Sequence, residues 1–396
     1  MERRPAIPRA IWALGMVSLL MDIASEMIHS LLPLFLVGTL GASMLAVGLI
    51  EGIAEATALI TKVFSGTLSD RFGRRKGLVL FGYALGAATK PLFALAGGLG
   101  LVVTARFLDR IGKGIRDAPR DALIADLTPA PVRGAAFGLR QSLDTAGAFI
   151  GPLLATALML LWAGDFRAVF WVAVIPGALA VLVLALGVRE PEREAAPTPA
   201  DAPRGAAWRR LGAACWWVVA IGAAFSLARF SQAFLVLRAA GLGVPAAAVP
   251  LVMMAMNLVF AASAYPFGRL ADRMSRSALL AAGLVTLVMA DLALAAAQGW
   301  ALLALGIALW GAHLGMTQGL LAAMVADAAP QDLRGTAYGV FNLVSGLALL
   351  LASTTAGWLW ERIGPAGSFL AGAGFATLCL LLAAAGRWLA LRRQAG

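Results

Sequence analysis

The chain has 396 residues, 61% hydrophobic and 13% charged, with a mean hydropathy of +0.84 and a formal net charge of +11. That hydropathy exceeds what a soluble core needs and fits a polytopic membrane protein, because apolar stretches of about 20 residues cross a hydrocarbon core of roughly 30 Å. The positive charge does not mark a nucleic-acid surface: it is spread along the chain at the ends of apolar stretches, where it sets topology.

Twelve spans are expected, at about 11–37, 43–69, 77–98, 100–124, 134–162, 166–188, 213–240, 245–271, 277–297, 300–327, 334–360 and 366–391. The first could be taken for a cleaved leader, since Arg3 and Arg4 precede an apolar run. Asp22 and Glu26 interrupt that run and no small-x-small site follows, so an uncleaved first span is expected. Arg9, Arg71, Arg74, Arg75, Lys76, Arg133, Arg189, Arg209, Arg276, Arg334 and Arg392 all fall on one side of twelve spans, whereas the opposite turns hold little beyond Arg167 and Arg362. The positive-inside rule then puts both termini in the cytoplasm. Gly is abundant, at 44 residues, and small residues let membrane helices approach closely.

Span 1 carries Asp22, Glu26 and His29 on one stripe, and span 2 carries Glu51 and Glu55 one turn apart with Lys62 further along the same face. Lys90 stands alone in span 3. Span 4 is the anomaly: "RFLDRIGKGIRDAPRD", 106–121, holds five basic and three acidic side chains. At 100° per residue they occupy an arc of about 140°. If all faced lipid, at roughly 2.5–3.5 kcal/mol each, the cost would be on the order of 20 kcal/mol, so this face must look into water or partner charges. Arg106, Asp109, Arg110 and Lys113 form its outer group. Arg116, Asp117, Arg120, Asp121 and Asp126 form its cytoplasmic group. In span 5, Arg140 and Asp144 lead into Gly147 and Gly151 on the same stripe.

Counted over the N-terminal half, intramembrane acids at 22, 26, 51, 55, 109, 117, 121 and 144 balance bases at 62, 90, 106, 110, 113, 116, 120 and 140. The balance favours mutual neutralisation and indicates neither an anionic nor a cationic substrate. Buried carboxylates that interact titrate as a coupled set, which a proton-coupled carrier needs. Asp22, Glu26, Glu55 and Asp144 are the proton-coupling candidates, each with a permanent ion pair as its alternative.

The polar, Pro-rich stretch 189–212 reads as a cytoplasmic linker between six spans in 1–188 and six in 213–396. The second half is quieter. Arg229 and Gln232 in span 7 and Trp310, His313, Thr317 and Gln318 in span 10 are its main polar features, with Asn257, Asp291 and Asn342 elsewhere. Cys215 and Cys379 are isolated in apolar segments, so neither a disulfide nor a metal site is expected.

The halves share a pattern. "GTLSDRFGRR" (66–75) is echoed by "GRLADRMSR" (268–276), and "IADLTPAPVRGAAFG" (124–138) by "VADAAPQDLRGTAYG" (325–339), at offsets of 202 and 201. An internal duplication is the architecture in which many transporters hold a midplane site. At offset 201 the outer charges of span 4 become Ile307, Trp310, Gly311 and Leu314, so packing of the repeat does not itself require charge there.

These residues resemble the major facilitator superfamily. Gly66, Leu68, Ser69, Asp70, Arg71, Gly73, Arg74 and Arg75 fit that family's loop 2–3 signature. "RFLDRIGKG" resembles its span 4 motif, with Asp109 and Arg110 where Gln and Gly are usual, and "GAFIGPLLA" (147–155) its span 5 antiporter motif, short of the closing Gly pair. The resemblance implies an all-α fold of twelve spans in two pseudo-symmetric six-helix bundles working by alternating access. It implies a cytoplasmic gate of Gly66, Asp70, Arg71, Gly73, Arg74 and Asp126, and a cavity lined by spans 1, 4, 7 and 10. His29, Glu51, Arg106, Asp109, Arg110, Lys113, Arg229, Gln232, Trp310, His313 and Thr317 are then substrate-cavity candidates, with helix packing as the alternative for those in the second half. Proton-coupled export of a small organic molecule is the leading expectation, on the span 5 motif. Proton-coupled uptake of a metabolite or metal chelate is the alternative. No nucleophile–base pair, metal-ligand cluster or phosphate loop points to an enzyme or a cofactor. With four lysines against many arginines the composition suggests a GC-rich genome, and a monomer in a bacterial inner membrane, with the substrate, protons and lipid as partners and no nucleic acid, is expected.

Overall fold

The computed structural model describes residues 6–72, 75–190, 208–271, 274–317, 319–330 and 333–395, with the side chains of 67, 70–72, 271 and 386–395 outside that description. The described residues form helices and no strand. In chain order these are α1 (Arg9–His29), α2 (Leu32–Leu34), α3 (Met44–Phe72), α4 (Arg75–Leu95), α5 (Leu99–Leu127), α6 (Arg133–Leu161), α7 (Phe166–Gly187), α8 (Ala213–Ala228), α9 (Ala233–Gly241), α10 (Pro250–Ala271), α11 (Arg276–Ala296), α12 (Trp300–Thr317), α13 (Leu320–Ala328), α14 (Arg334–Ile363) and α15 (Pro365–Ala395). Eleven helical segments among the described residues are long and apolar enough to cross a membrane. The charged helix α5 is equally long, at 29 residues.

Three of the expected spans are interrupted. Span 1 stops at His29, where Ser30 turns its Oγ back to the Glu26 carbonyl at 2.7 Å, and resumes as α2 and a short π-helix, Phe35–Thr39. Span 7 breaks between α8 and α9: Arg229 leaves helical geometry (φ −110°, ψ 77°), and the Ser231 amide donates to Ser353 Oγ at 3.1 Å. Span 10 breaks before α13, where Gly319 has a left-handed φ of 77° that other residues rarely adopt. Each interruption frees backbone groups inside an apolar stretch, which is tolerated only where protein or water satisfies them.

By packing, the chain divides into two compact units. The first holds α1, α2, α3 from Thr57 onward and α4 to α7, together with the start of α10. Its core joins Leu14, Val17 and Met21 of α1 to Val79 and Tyr83 of α4, Leu123 and Ile124 of α5, and Ala180 and Leu184 of α7. Glycines set the approach of its helices. A Cβ on Gly147 would stand 2.6 Å from the Leu19 carbonyl oxygen, and one on Gly82 would stand 2.7 Å from the Gly112 carbonyl oxygen. Only hydrogen at these positions lets α6 lie on α1 and α5 on α4.

The second unit holds α8, α9, most of α10 and α11 to α15, and also residues 42–56, the first turns of α3. There a Cβ on Gly48 would meet the Ser353 carbonyl oxygen at 2.2 Å, so α3 begins directly against α14. Cys215 and Val218 of α8 share a core with Val325 of α13, Leu333 and Ala337. By packing, Glu51 and Glu55 of α3 belong to the second unit.

Candidate functional site

In the first unit, α1, α4 and α5 bring the span 4 charges onto partners. Asp109 is the hub. Its Oδ1 accepts from Lys90 Nζ of α4 at 2.9 Å, and its Oδ2 lies 3.3 Å from Arg110 Nη2 and 3.6 Å from His29 Nε2. Lys90 also donates to Ser25 Oγ at 3.0 Å. Arg106 and Arg110 both direct guanidinium nitrogens at the His29 ring, Arg110 Nη2 standing 3.1 Å from Nε2. Glu26 Oε1 approaches the same ring at 3.9 Å. Lys90, Arg106, Asp109 and Arg110 are all buried. Lone charges so placed would be prohibitive, and pairing makes them tolerable.

A second group sits one turn further along α1 and α6. The Asp22 and Asp144 carboxyls are within hydrogen-bonding reach of each other, with Lys113 of α5 and Glu26 as their other charged neighbours. Gly147 is why they meet, since its missing side chain leaves room for Asp22 Cβ. Asp144 is also bridged by Arg140 at 3.0 Å. Lys113 is exposed while the arginines around it are buried, so it is the cation of this helix most open to exchange.

Nearer the far end of α5, Arg116 lies over the Tyr83 ring at 4.4 Å, and its Nε and Nη1 are buried without hydrogen-bond partners. Arg120 is held by Asp117 at 3.4 Å and Asp121 at 3.1 Å. Asp126 at the end of α5 meets Arg75 Nη1 at 3.1 Å. The repeat reproduces this in the second unit, where Arg276 pairs with Asp327 and Arg334 Nε reaches the Ala326 carbonyl at 3.2 Å, as Arg133 Nε reaches that of Ala125. Of the other gate residues, Gly66 is placed so that a Cβ on it would stand 3.7 Å from Ala118 Cβ, and Asp70 and Arg71 are on α3 with their side chains outside the description. Gly73 and Arg74 lie outside the described residues altogether. Glu190, which belongs to no sequence motif, caps α4 through the amides of Arg75 and, at 3.2 Å, Lys76.

In the second unit Glu51 is buried and accepts from Ser231 Oγ at 3.4 Å, and Glu55 is the charged neighbour of Arg229, which lies 5.6 Å over the Phe225 ring. Gln232 opens α9, its carbonyl accepting from the Leu235 amide at 3.0 Å. His313 gives Nδ1 to the Gly283 carbonyl at 2.7 Å and packs on Phe225, while Thr317 Oγ1 donates to the His313 carbonyl at 2.8 Å. Trp310 is buried in a ring cluster with Phe230, its Nε1 unpartnered. Gln318 lies outside the described residues. Among the described residues no three His, Cys, Asp or Glu side chains converge as a metal site.

The sequence profile of the Major Facilitator Superfamily matches residues 14–348 and again 217–395. The chain belongs to this family of membrane transporters. Over 388 residues it is 32% identical to an uncharacterized MFS-type transporter of Methanocaldococcus jannaschii, covering 96% of each chain. Over 170 residues, 43% of this chain and 40% of the other, it is 33% identical to the multidrug resistance protein MdtH of Yersinia pestis. The fold matches the crystal structure of a bacterial homolog of the human lysosomal transporter Spinster with a TM-score of 0.75 at 19% identity, covering 98% of both chains. As a transporter of this family the protein is not an enzyme. Its apolar helices make it an integral membrane protein for a small-molecule substrate.

Proposed function

We propose that this transporter works by alternating access and exports a small organic molecule in exchange for protons across a bacterial inner membrane, with both termini in the cytoplasm. The moving bodies are the halves 1–188 and 213–396, joined by the linker 189–212, and α5 is a span whose charged face looks into partner charges and water. The observation that carries the proton coupling is the meeting of Asp22 and Asp144. Two carboxyls so close share a proton readily and resist being ionised together. Lys113, exposed beside them, can neutralise the deprotonated pair. Glu26 and Glu55 are the secondary proton candidates. His29, Arg106, Asp109 and Arg110 are the first unit's candidates for polar contact with cargo, and Glu51, Arg229, Gln232, Trp310, His313 and Thr317 are those of the second unit. The Arg75–Asp126 pair belongs to a cytoplasmic latch with Gly66, Asp70, Arg71, Gly73 and Arg74: charge pairs that form in one state and separate in the other bias a two-state equilibrium.

Export is favoured over uptake by Gly147, Gly151 and Pro152, which hold α6 flush against α1 at the carboxyl pair, and by the likeness of part of the chain to a multidrug resistance protein. The test is reconstitution in liposomes with a trapped pH dye, screened against metabolites, chelates and cationic drugs. Proton efflux from an acid lumen on external addition of a compound is the expected outcome. Co-entry of protons with the compound would reverse the assignment to uptake.

A further inference from the structure

The second unit contains a carboxyl that none of the foregoing uses. Asp291 of α11 is fully buried, and neither Oδ1 nor Oδ2 has a hydrogen-bond partner. Its surroundings are apolar. A Cβ on Gly372 of α15 would stand 2.6 Å from Asp291 Oδ2 and 2.8 Å from Cε1 of Phe230, so carboxyl and ring share the space that this glycine leaves open. Phe230 in turn packs on Trp310, Phe369 and Phe234.

Among the described residues no charge answers it. On α12 the one ionisable side chain is His313, bound to the Gly283 carbonyl. On α15 between 365 and 385 it is Cys379, whose Sγ donates to the Ile221 carbonyl at 3.6 Å. On α13 it is Asp327, paired with Arg276 at the opposite end of α11. Arg238 of α9 gives its donors to the carbonyls of Leu294, Ala295 and Ala297, and Arg229 lies on Phe225 beside Glu55.

The internal repeat sharpens the contrast. At the offset of 201, Asp291 is the counterpart of Lys90, Trp310 of Asp109 and Phe230 of His29. The first unit therefore fills this station with a buried cation neutralised at 2.9 Å by an acid. The second fills it with a buried acid and, among the described residues, gives it no cation. An ionised carboxylate without donors in an apolar interior is far costlier than a neutral acid, and such a group takes up a proton instead. As an acid it gains a donor, which a helical side chain can direct to a carbonyl one turn back, as Thr286 does to Ala282 at 2.9 Å on the same helix.

We propose that Asp291 is a proton-binding site in the second unit, occupied by a proton in this conformation and released only when movement of α11, α15 or the Phe230 segment admits water or a donor. The site is separate from the Asp22–Asp144 pair and stands whether or not that pair couples transport.

Infrared spectroscopy of the full-length protein in liposomes tests it, as the difference between wild type and Asp291→Asn. At neutral and mildly alkaline pH the difference should contain one C=O stretch of a protonated carboxylic acid and no change in the carboxylate bands. Bands from Asp22 and Asp144 are common to both samples and cancel. A lost carboxylate band at neutral pH, with no acid band, would overturn the proposal. Should the amide variant not fold, Asp291→Glu keeps the carboxyl and moves its frequency: a shifted acid band supports the site, and a shift confined to carboxylate bands removes it.

Discussion

Lys90 Nζ lies 2.9 Å from Asp109 Oδ1, and the two side chains, 0% and 4% exposed, form the most deeply enclosed ion pair of the first unit's charge cluster. Removing one partner leaves the other as a buried, uncompensated charge. Lys90→Met should therefore cost about 3–5 kcal/mol, read as a large drop in the thermal midpoint in detergent. The double variant Lys90→Met with Asp109→Leu should recover much of that loss, because it removes both charges. A single variant as stable as wild type would show that water reaches the pair.

Helix approach at Gly147 can be tested separately from charge. A Cβ there would stand 2.6 Å from the Leu19 carbonyl oxygen and 2.8 Å from Asp22 Cβ, so α1 and α6 would have to part. Gly147→Ala should destabilise the protein by about 1–3 kcal/mol. Gly134→Ala, on the same helix with nothing within 4 Å of the added atom, should be neutral or slightly stabilising. Equal midpoints for the two variants would mean that this contact does not set the packing.

The sequence showed the family, the duplication and the amphipathic face of α5, because a lipid solvent makes every buried charge conspicuous and a repeat doubles each signature. It also put Asp22 on one stripe with Glu26 and His29 and Asp144 on another with Gly147, since such stripes survive folding as helix faces, but only the fold brings the two stripes together. What it could not show was partner choice between helices. Glu51 and Glu55 share a helix with Lys62, yet their neighbours are Ser231 and Arg229, a pairing about 180 residues distant that no local spacing encodes. The breaks after Ala228 and before Leu320 were equally hidden, because no Pro marks either stretch, and the Ser231 to Ser353 bond and the left-handed backbone of Gly319 appear only in the fold. Lys90 and Asp291 each read as a lone charge in an apolar run, and only the structure separates the paired one from the unpaired.

The Arg75–Asp126 pair and its repeat Arg276–Asp327 are partly open to solvent, with Asp126 26% and Asp327 61% exposed. Exposed pairs contribute about 0–1 kcal/mol, so Asp126→Asn should leave the thermal midpoint nearly unchanged. If these pairs latch one state, Asp126→Asn should instead slow turnover several-fold with little effect on substrate binding, and Asp70→Asn should do the same. Normal turnover in both variants would remove the latch role and leave the pairs as surface features.

Asp22 and Asp144 give the sharpest test of coupling because their partners differ. Asp144 is also bridged at 3.0 Å by Arg140, so Asp144→Asn disturbs an ion pair as well as the shared proton. The main charged neighbours of Asp22 are Asp144, Glu26 and Lys113, with no bridging arginine among them, so Asp22→Asn should remove the shared proton with less collateral change. Both variants should fold, bind substrate and lose pH-dependent transport, with Asp22→Asn keeping the more native midpoint. Glu55→Gln, beside Arg229 in the second unit, should reduce coupling less completely. The measurement is substrate-driven proton flux in liposomes across a range of imposed pH gradients. Unchanged stoichiometry in Asp22→Asn and Asp144→Asn would rule the pair out as the coupling site and turn attention to Glu26 and Glu55.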